Sequence, residues 1–437
     1  MKLLALLPFA AALLVTPATA QLGAPEQRML GVVDREADRH IGLLERLVNQ
    51  NSGTLNLPGV EAVGRMMRAE LEPLGFMVEW VPLPETKRAG HIIATHKGNG
   101  RGNRMLLIGH LDTVFEPDSP FQRFTRRGDV AEGPGVGDDK GGMVVMVAAL
   151  RAMHAAGTLK NADIEIVLTG DEEDAGLPIE AARRHLIAAG KRADVALDFE
   201  GLSQEQGRDM GSIARRSSAN WEVRATGRSG HSSSIFREGV SNGAIYELAR
   251  IIAAFRSELP EPNLTFNVGL VAGGDAAALD EGKVRATASG KTNIIPQIAI
   301  ARGDIRTLSR EQEERVRAKM REIVTQHLPG TGAEISFDPK FYPPMAPTPG
   351  SRALLGRLNK VNRDMGLPEM GELDPLKRGA GDIGFVAEDV DGLVGLGAAG
   401  DGAHAPGETV DLPSIARQAK RAAILMSRLA RERRSGR

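Results

Sequence analysis

Hydrophobic positions near the start of the chain follow a helical spacing. Between Gln27 and about Asn49, Met29, Leu30, Val33, Ile41, Leu44 and Leu47 gather on one face, which predicts one amphipathic helix or two short ones. A second helix over Val60–Leu74 is expected to stop at Gly75. The spacing then changes to apolar runs at Met77–Val81, His91–Thr95 and Met105–Ile108, which predict strands. Next come a helix from Lys140 to about Ala155, a buried-type strand Ile164–Leu168, a helix near Ile179–Ala188 and a strand Val195–Phe199. Such alternation predicts an α/β fold: a mixed sheet flanked by helices.

Near residue 213 the pattern changes. Trp221–Thr226 alternates as a strand, Asn242–Phe255 reads as a long helix, and Asn263–Leu270 and Ile298–Ile305 again read as strands. A helix over Arg310–Gln326 and a strand at Glu334–Phe337 follow, a β-α-β-β-α-β order that predicts a ferredoxin-like α+β insert. Pro343, Pro344, Pro347 and Pro349 then punctuate a linker before helix and strand signals resume from Ala353. The expected organisation is a discontinuous α/β domain over 21–212 and 342–437, interrupted by a smaller inserted α+β domain over 213–341.

Residues 1–20 carry one lysine, an apolar run from Leu3 to Val15 and Ala18-Thr19-Ala20, the pattern of a cleavable export signal. The run is shorter than the ~20 residues needed to span a bilayer. The expectation is an exported protein, periplasmic or secreted, with no membrane association after cleavage. Charge is almost balanced, at 55 Lys+Arg against 56 Asp+Glu, so the field that would draw in nucleic acid is missing. The chain has no cysteine, which removes disulfides, thiolate metal sites and cysteine nucleophiles. Any metal must be held by His, Asp and Glu.

Three of the nine histidines sit in loops among Gly, Asp and Ser: His110 in GHLDTV, His231 in GRSGHSS and His404 in GDGAHAPGE. His110 follows a predicted strand, at the carboxyl end where open α/β sheets build their sites. Asp112, two residues on, is placed to accept from its second ring nitrogen and fix the tautomer. GPGVGDDKGG sets Asp138 and Asp139 in a Gly-rich turn that opens a helix, and neither GxxxxGK[ST] nor a strand-end GxGxxG is present to make that turn a phosphate cradle. The strand IEIVLTG runs into Asp171-Glu172-Glu173-Asp174, and another strand ends in Asp198 and Glu200. Crowded carboxylates repel unless a cation or proton neutralises them, and adjacent ones can divide metal binding from proton transfer. Together these loops offer an oxygen- and imidazole-rich set suited to zinc or a similar divalent ion, most simply a pair bridged by a carboxylate.

The motifs GHLDTVF, GPGVGDDKGG, TGDEED, LDFEG, GHSS inside the insert, NIIP followed by GDIRT, and HAPGETVDL run in order along nearly all of the chain after the signal. In this they resemble the dinuclear zinc aminoacylase and carboxypeptidase family, most closely its glutamate carboxypeptidase type. The resemblance implies that His110, Asp138, Glu173, Glu200 and His404 are ligands to two metal ions. It makes Asp138 the bridge, because the family pattern is Asp-x-Lys-Gly. Glu172 then matches the general base and Asp112 the partner of His110. The resemblance also implies a homodimer whose insert forms the contact and a lid, with His231 reaching a neighbouring site to stabilise an oxyanion. Asn293, Arg306, Gly379 and Gly381 resemble substrate-binding positions, Arg306 as a clamp on a free carboxylate. Two departures from the family touch substrate recognition: a long segment between Leu270 and Thr292, and RGAGD where Gly-Gly-Thr-Asp is usual.

The function expected from this reading is a metal-dependent exopeptidase, a carboxypeptidase that cleaves an amide bond next to a C-terminal amino acid such as Glu or Asp. Peptides or N-acyl amino acids are the expected substrates, and Arg208, Arg215 and Arg216 are loop candidates for an acidic side-chain pocket. Zinc is the expected metal, with cobalt or manganese accepted by the same donors. The alternatives are an aminoacylase that removes an N-acyl group and, outside catalysis, a metal-binding scaffold or binding protein.

Overall fold

The computed structural model describes residues 22–434, so residues 1–20, where an export signal is expected, lie outside the described residues. Among those described, no helix is long and apolar enough to cross a membrane.

The main sheet has six strands. Met77–Leu83 pairs antiparallel with Arg88–His96, which pairs antiparallel with Asp163–Thr169. Beyond it, Arg104–His110, Val195–Asp198 and Gly392–Leu393 continue the sheet in parallel. Parallel neighbours need crossover connections, and helices supply them. Lys140–Ala155 joins Arg104–His110 to Asp163–Thr169, and Ile179–Arg192 joins Asp163–Thr169 to Val195–Asp198. The sequence GGMVVMVAAL makes the first of these helices apolar all round, and Gly141–Leu150 is buried throughout. It packs in one core with the amphipathic helices Ala24–Arg35, Ala37–Asn49, Leu57–Leu71 and Leu412–Leu429. The opposite face of the sheet is covered by Leu186 and Ala189 of Ile179–Arg192 together with Ile383, Val386 and Val390.

The N-terminal helical signal resolves into two helices, broken at Glu36. The next helix, Leu57–Leu71, passes into a 3-10 turn over Glu72–Leu74 that ends at Gly75, whose φ of +91° is the left-handed conformation that favours glycine after a helix.

A second sheet lies between Ser218 and Tyr342. Its antiparallel order runs Thr265–Phe266, Ile298–Arg306, Ser218–Gly227, Thr331–Tyr342, with Leu270–Gly274 also paired to Ile298–Arg306. Ser218–Gly227 alternates buried and open positions, as a half-buried strand should. Trp221, Val223 and Ala225 meet Ile251 and Phe255 of the helix Ala244–Glu258 and Val316 and Met320 of the helix Arg310–Thr325 in a separate core. Ser309 caps the latter helix by accepting from the Gln312 amide. The long segment after Leu270 contains a hairpin, Ala276–Leu279 with Ala286–Ser289.

Candidate metal centre

Register in the parallel part of the main sheet gathers the chemistry. His110 is level with Thr169 and Ile108 with Asp198, so the carboxyl ends of three neighbouring strands release His110, the acidic run 171–174 and Glu200 at one edge. The turn before Lys140–Ala155 brings Asp138 to the same edge, next to a cis Asp138–Asp139 peptide.

His110, Asp138 and Glu173 offer ligand atoms that all lie within 4.8 Å of one another. Asp138 sits between two imidazoles: His110 Nε2 is 3.0 Å from its Oδ1 and His404 Nε2 is 3.1 Å from its Oδ2. His404 Nε2 is also 3.2 Å from Glu173 Oε2. Burial works against charge on Asp138, but hydrogen bonds from His110 and His404 outweigh it and hold its carboxyl well below the usual range. The same contacts push His404 up to about 11, led by Asp138 and then Glu173. Burial lifts Glu173 to about 7 and raises Glu172 well above an ordinary glutamate. Two imidazoles and two carboxylates converging this closely match the donor chemistry of zinc and similar divalent ions.

Asp112 ties the centre together. It is fully buried, and its oxygens accept from the backbone amides of Glu172 (3.0 Å) and Glu173 (3.1 Å) and from the Thr54 hydroxyl (2.6 Å). His110 Nδ1 lies 3.4 Å from the same carboxylate. One aspartate therefore orients both His110 and the turn that carries Glu172 and Glu173. From below, Arg183 is fully buried and donates to Asp171 (2.6 Å) and Asp382 (2.7 Å), while the Tyr342 hydroxyl donates to the Glu172 backbone carbonyl.

The Glu408 carboxylate accepts from the backbone amides of Gly135 (3.0 Å), Gly137 (2.8 Å) and Asp138 (2.9 Å). The loop bearing His404 and the loop bearing Asp138 are thus laced together. The sequence reading passed over Glu408, although it stands four residues after His404 in the motif HAPGE.

Glu200 is placed differently from the other expected ligands. It is at the right edge, but its carboxylate is paired with Arg215 and lies 3.5 Å from Arg378, and it is not in the three-residue cluster. Gly379 lines the pocket, and Gly381 is so close that an added Cβ would meet Arg215 Nη1 at 2.2 Å and Glu200 Oε1 at 2.6 Å. Three expected residues are kept away from the cluster. His231 is exposed and bonded to Ser233, next to the exposed Asn293, whose carbonyl accepts from the Ser232 amide. Arg306 is paired with Asp304 at 3.1 Å. None of these three lines the pocket of about 470 Å³ that opens on Asp138, Glu172, Glu200 and His404.

The model of peptidase family M20/M25/M40 matches residues 106–428. Carboxypeptidase G2 of Pseudomonas sp. (strain RS-16) is 30% identical over 275 residues, which span 61% of this chain and 59% of that relative. Succinyl-diaminopimelate desuccinylase of Novosphingobium aromaticivorans is 30% identical over 67% of this chain and 75% of its own. Acetylornithine deacetylase of Yersinia pestis is 27% identical over 81% and 87%. Among solved structures, a tripeptidase from Staphylococcus aureus shares the fold with a TM-score of 0.69 at 18% identity, covering 91% of this chain and 99% of its own. A dinuclear metal binding peptidase of the M20 family from Bacillus subtilis shares it with a TM-score of 0.61 at 17% identity, covering 90% and 98%. The chain belongs to peptidase family M20/M25/M40 and is a metal-dependent hydrolase of that family.

Proposed function

We propose that the protein is an exported carboxypeptidase that hydrolyses an amide bond next to a C-terminal amino acid bearing a free carboxylate, with Glu or Asp preferred. The observation that carries this reading is the placement of Glu172. It is a carboxyl group whose proton affinity burial has raised, beside the cluster of His110, Asp138, Glu173 and His404 and open to the pocket. A general base works best when its pKa lies near the operating pH, and burial moves Glu172 upward from the ordinary carboxylate range in that direction.

The residues divide the work as follows. His110, Asp138, Glu173 and His404 would hold metal, with Glu200 completing the set and Asp138, which faces both His110 and His404, as the central ligand. Bound zinc, with cobalt or manganese as substitutes, supplies Lewis acidity toward the scissile carbonyl and lowers the pKa of water. Glu172 takes a proton from the attacking water and passes it to the leaving amine. Asp112 keeps His110 and the Glu172–Glu173 turn in register. With the insert acting as the lid, Arg306 and Asn293, which do not line the pocket as it stands, would close on the substrate's terminal carboxylate, Arg306 as a bidentate clamp, while Gly379 and Gly381 shape the pocket wall. His231 stabilises the oxyanion in a neighbouring subunit of a homodimer, in keeping with its distance from the pocket of its own chain.

The wide coverage by acetylornithine deacetylase supports a second reading, an N-acyl amino acid deacylase with the same centre. Amine release from peptidyl and N-acyl amino acids that differ only in the C-terminal residue, with metal-loaded and chelated enzyme side by side, separates the two. Chelator-sensitive cleavage concentrated on C-terminal Glu or Asp is expected. Cleavage that ignores that residue and follows the acyl group would favour the deacylase. No cleavage by metal-replete protein would overturn both.

A further inference from the structure

Two guanidinium groups share one wall of the pocket. The Arg215 side chain is 6% exposed and that of Arg378 is 13% exposed. Arg215 Nε donates to the Gly379 carbonyl at 2.7 Å, its Nη2 donates to the Ala380 carbonyl, and Arg378 Nη1 donates to Ser203 Oγ at 3.1 Å. Both cations reach the Glu200 carboxylate. Arg215 Nη1 is the atom that meets Glu200, whereas Arg378 Nε finds no hydrogen-bond acceptor among the described residues.

Among the described residues Glu200 is the one carboxylate within 4 Å of Arg378, at 3.5 Å, and Arg215 holds that same carboxylate, with Asp198 3.8 Å from Arg215. A largely buried guanidinium that shares its single carboxylate partner and leaves Nε without an acceptor keeps donor capacity for another anion. The pair faces the same pocket as Asp138, Glu172 and His404, whereas Arg306 does not. Guanidiniums in a fixed fork suit a carboxylate.

We propose that Arg378 and Arg215 form an anion subsite for a second carboxylate of the substrate, distinct from the terminal carboxylate beside the scissile amide. This rests on the amide-hydrolase reading above. The second carboxylate has two possible sources, the acyl group or the side chain of the C-terminal residue.

The test compares kcat/KM in two arms, N-succinyl-leucine against its succinamoyl analogue and N-acetyl-glutamate against N-acetyl-glutamine, for wild type, Arg378→Gln and Arg378→Lys. Wild type is expected to favour the charged member of one arm by at least about tenfold. That ratio should collapse in Arg378→Gln and return in part in Arg378→Lys, with metal content unchanged in both. The arm showing the effect identifies the source. Equal ratios in wild type and Arg378→Gln, or loss of metal from Arg378→Gln, would overturn the subsite and leave Arg378 as a holder of Glu200. If metal-loaded wild type cleaves none of the four, the amide-hydrolase reading fails. The subsite is then decided by calorimetry of succinate against butyrate, where binding of succinate alone that is lost in Arg378→Gln supports it and equal binding refutes it.

Discussion

Asp112→Asn replaces one carboxylate oxygen with an NH₂ group and leaves the shape unchanged. Oδ1 accepts from the Glu172 amide and lies near His110 Nδ1, while Oδ2 accepts from the Glu173 amide and the Thr54 hydroxyl. Whichever way the asparagine turns, its NH₂ faces a backbone N–H that has no other acceptor in the site. With NH₂ at the Oδ2 position, Thr54 can rotate and accept, so the smallest loss is one charge-assisted bond and one stranded amide. That loss amounts to about 2 kcal/mol for a buried pair. Relief of burying a charge does not cancel it, because burial is outweighed here by His110 and the other donors and the carboxyl is held below its usual range. At about 0.6 kcal/mol per degree for a unit of this size, the metal-free protein should melt about 3 °C lower. The Glu172–Glu173 turn loses an anchor and the His110 ring loses the carboxylate charge 3.4 Å from Nδ1, keeping its 3.1 Å bond to the residue-112 backbone carbonyl, so metal affinity should fall about 10- to 100-fold, as is usual when a ligand's orienting partner is removed. Differential scanning calorimetry of the apoprotein and competition with a chromogenic chelator measure the two effects. An unchanged melting temperature together with unchanged metal affinity would refute the role given to Asp112.

Three other perturbations have stated outcomes. Glu408→Gln places an amide group against three backbone donors, so the Asp138 loop should loosen and metal affinity should drop about tenfold or more, measured by metal analysis after dialysis against a weak chelator. Gly381→Ala adds a Cβ within 2.6 Å of both the Arg215 guanidinium and Glu200, while its extended backbone (φ −179°) suits any residue. Its defect is therefore steric, with turnover down about 100-fold and the helical circular dichroism retained. His40 is buried in the helix Ala37–Asn49, and burial holds it down to about 4 against 6.5 in a free chain, with Glu36 opposing and Arg151 and Arg39 assisting. The folded state keeps the ring neutral while the unfolded state binds a proton. Stability is therefore complete above pH 6.5 and is lost as pH falls from 6.5 toward 4, by up to about 3 kcal/mol. His40→Gln should flatten the fall of the melting temperature across that window, and an unaltered slope would remove His40 as its cause.

Local pattern carried much of this structure. The expected helix from Lys140 to about Ala155 is observed over Lys140–Ala155, because an apolar run that long opening on Gly-Gly fits a buried helix and little else. The alternation at Trp221–Thr226 marks the centre of the strand Ser218–Gly227. The hairpin Ala276–Leu279 with Ala286–Ser289 was not legible, since its alanines and small polar residues give no alternation. Within the centre, His110, Asp112, Asp138, Glu173 and His404 meet because each lies in a loop or strand end with a recognisable pattern. The environment of Glu200 could not be read in the same way. Arg215 and Arg378 reach it from two separate loops, and only tertiary packing turns three isolated charges into one ionic cluster. Residues of the insert show the same limit: His231 and Arg306 carry the right chemical groups, yet a linear pattern says nothing of the distance from them to the pocket.

In the proposed division of labour, Glu172 moves protons while its neighbours hold metal. Glu172→Gln, measured for metal content by inductively coupled plasma mass spectrometry and for amine release in the same preparation, separates these roles. Full metal content with turnover reduced by at least about 1,000-fold is the expected result. Metal lost together with activity would make Glu172 a ligand, and turnover within tenfold of wild type would contradict its role as the base.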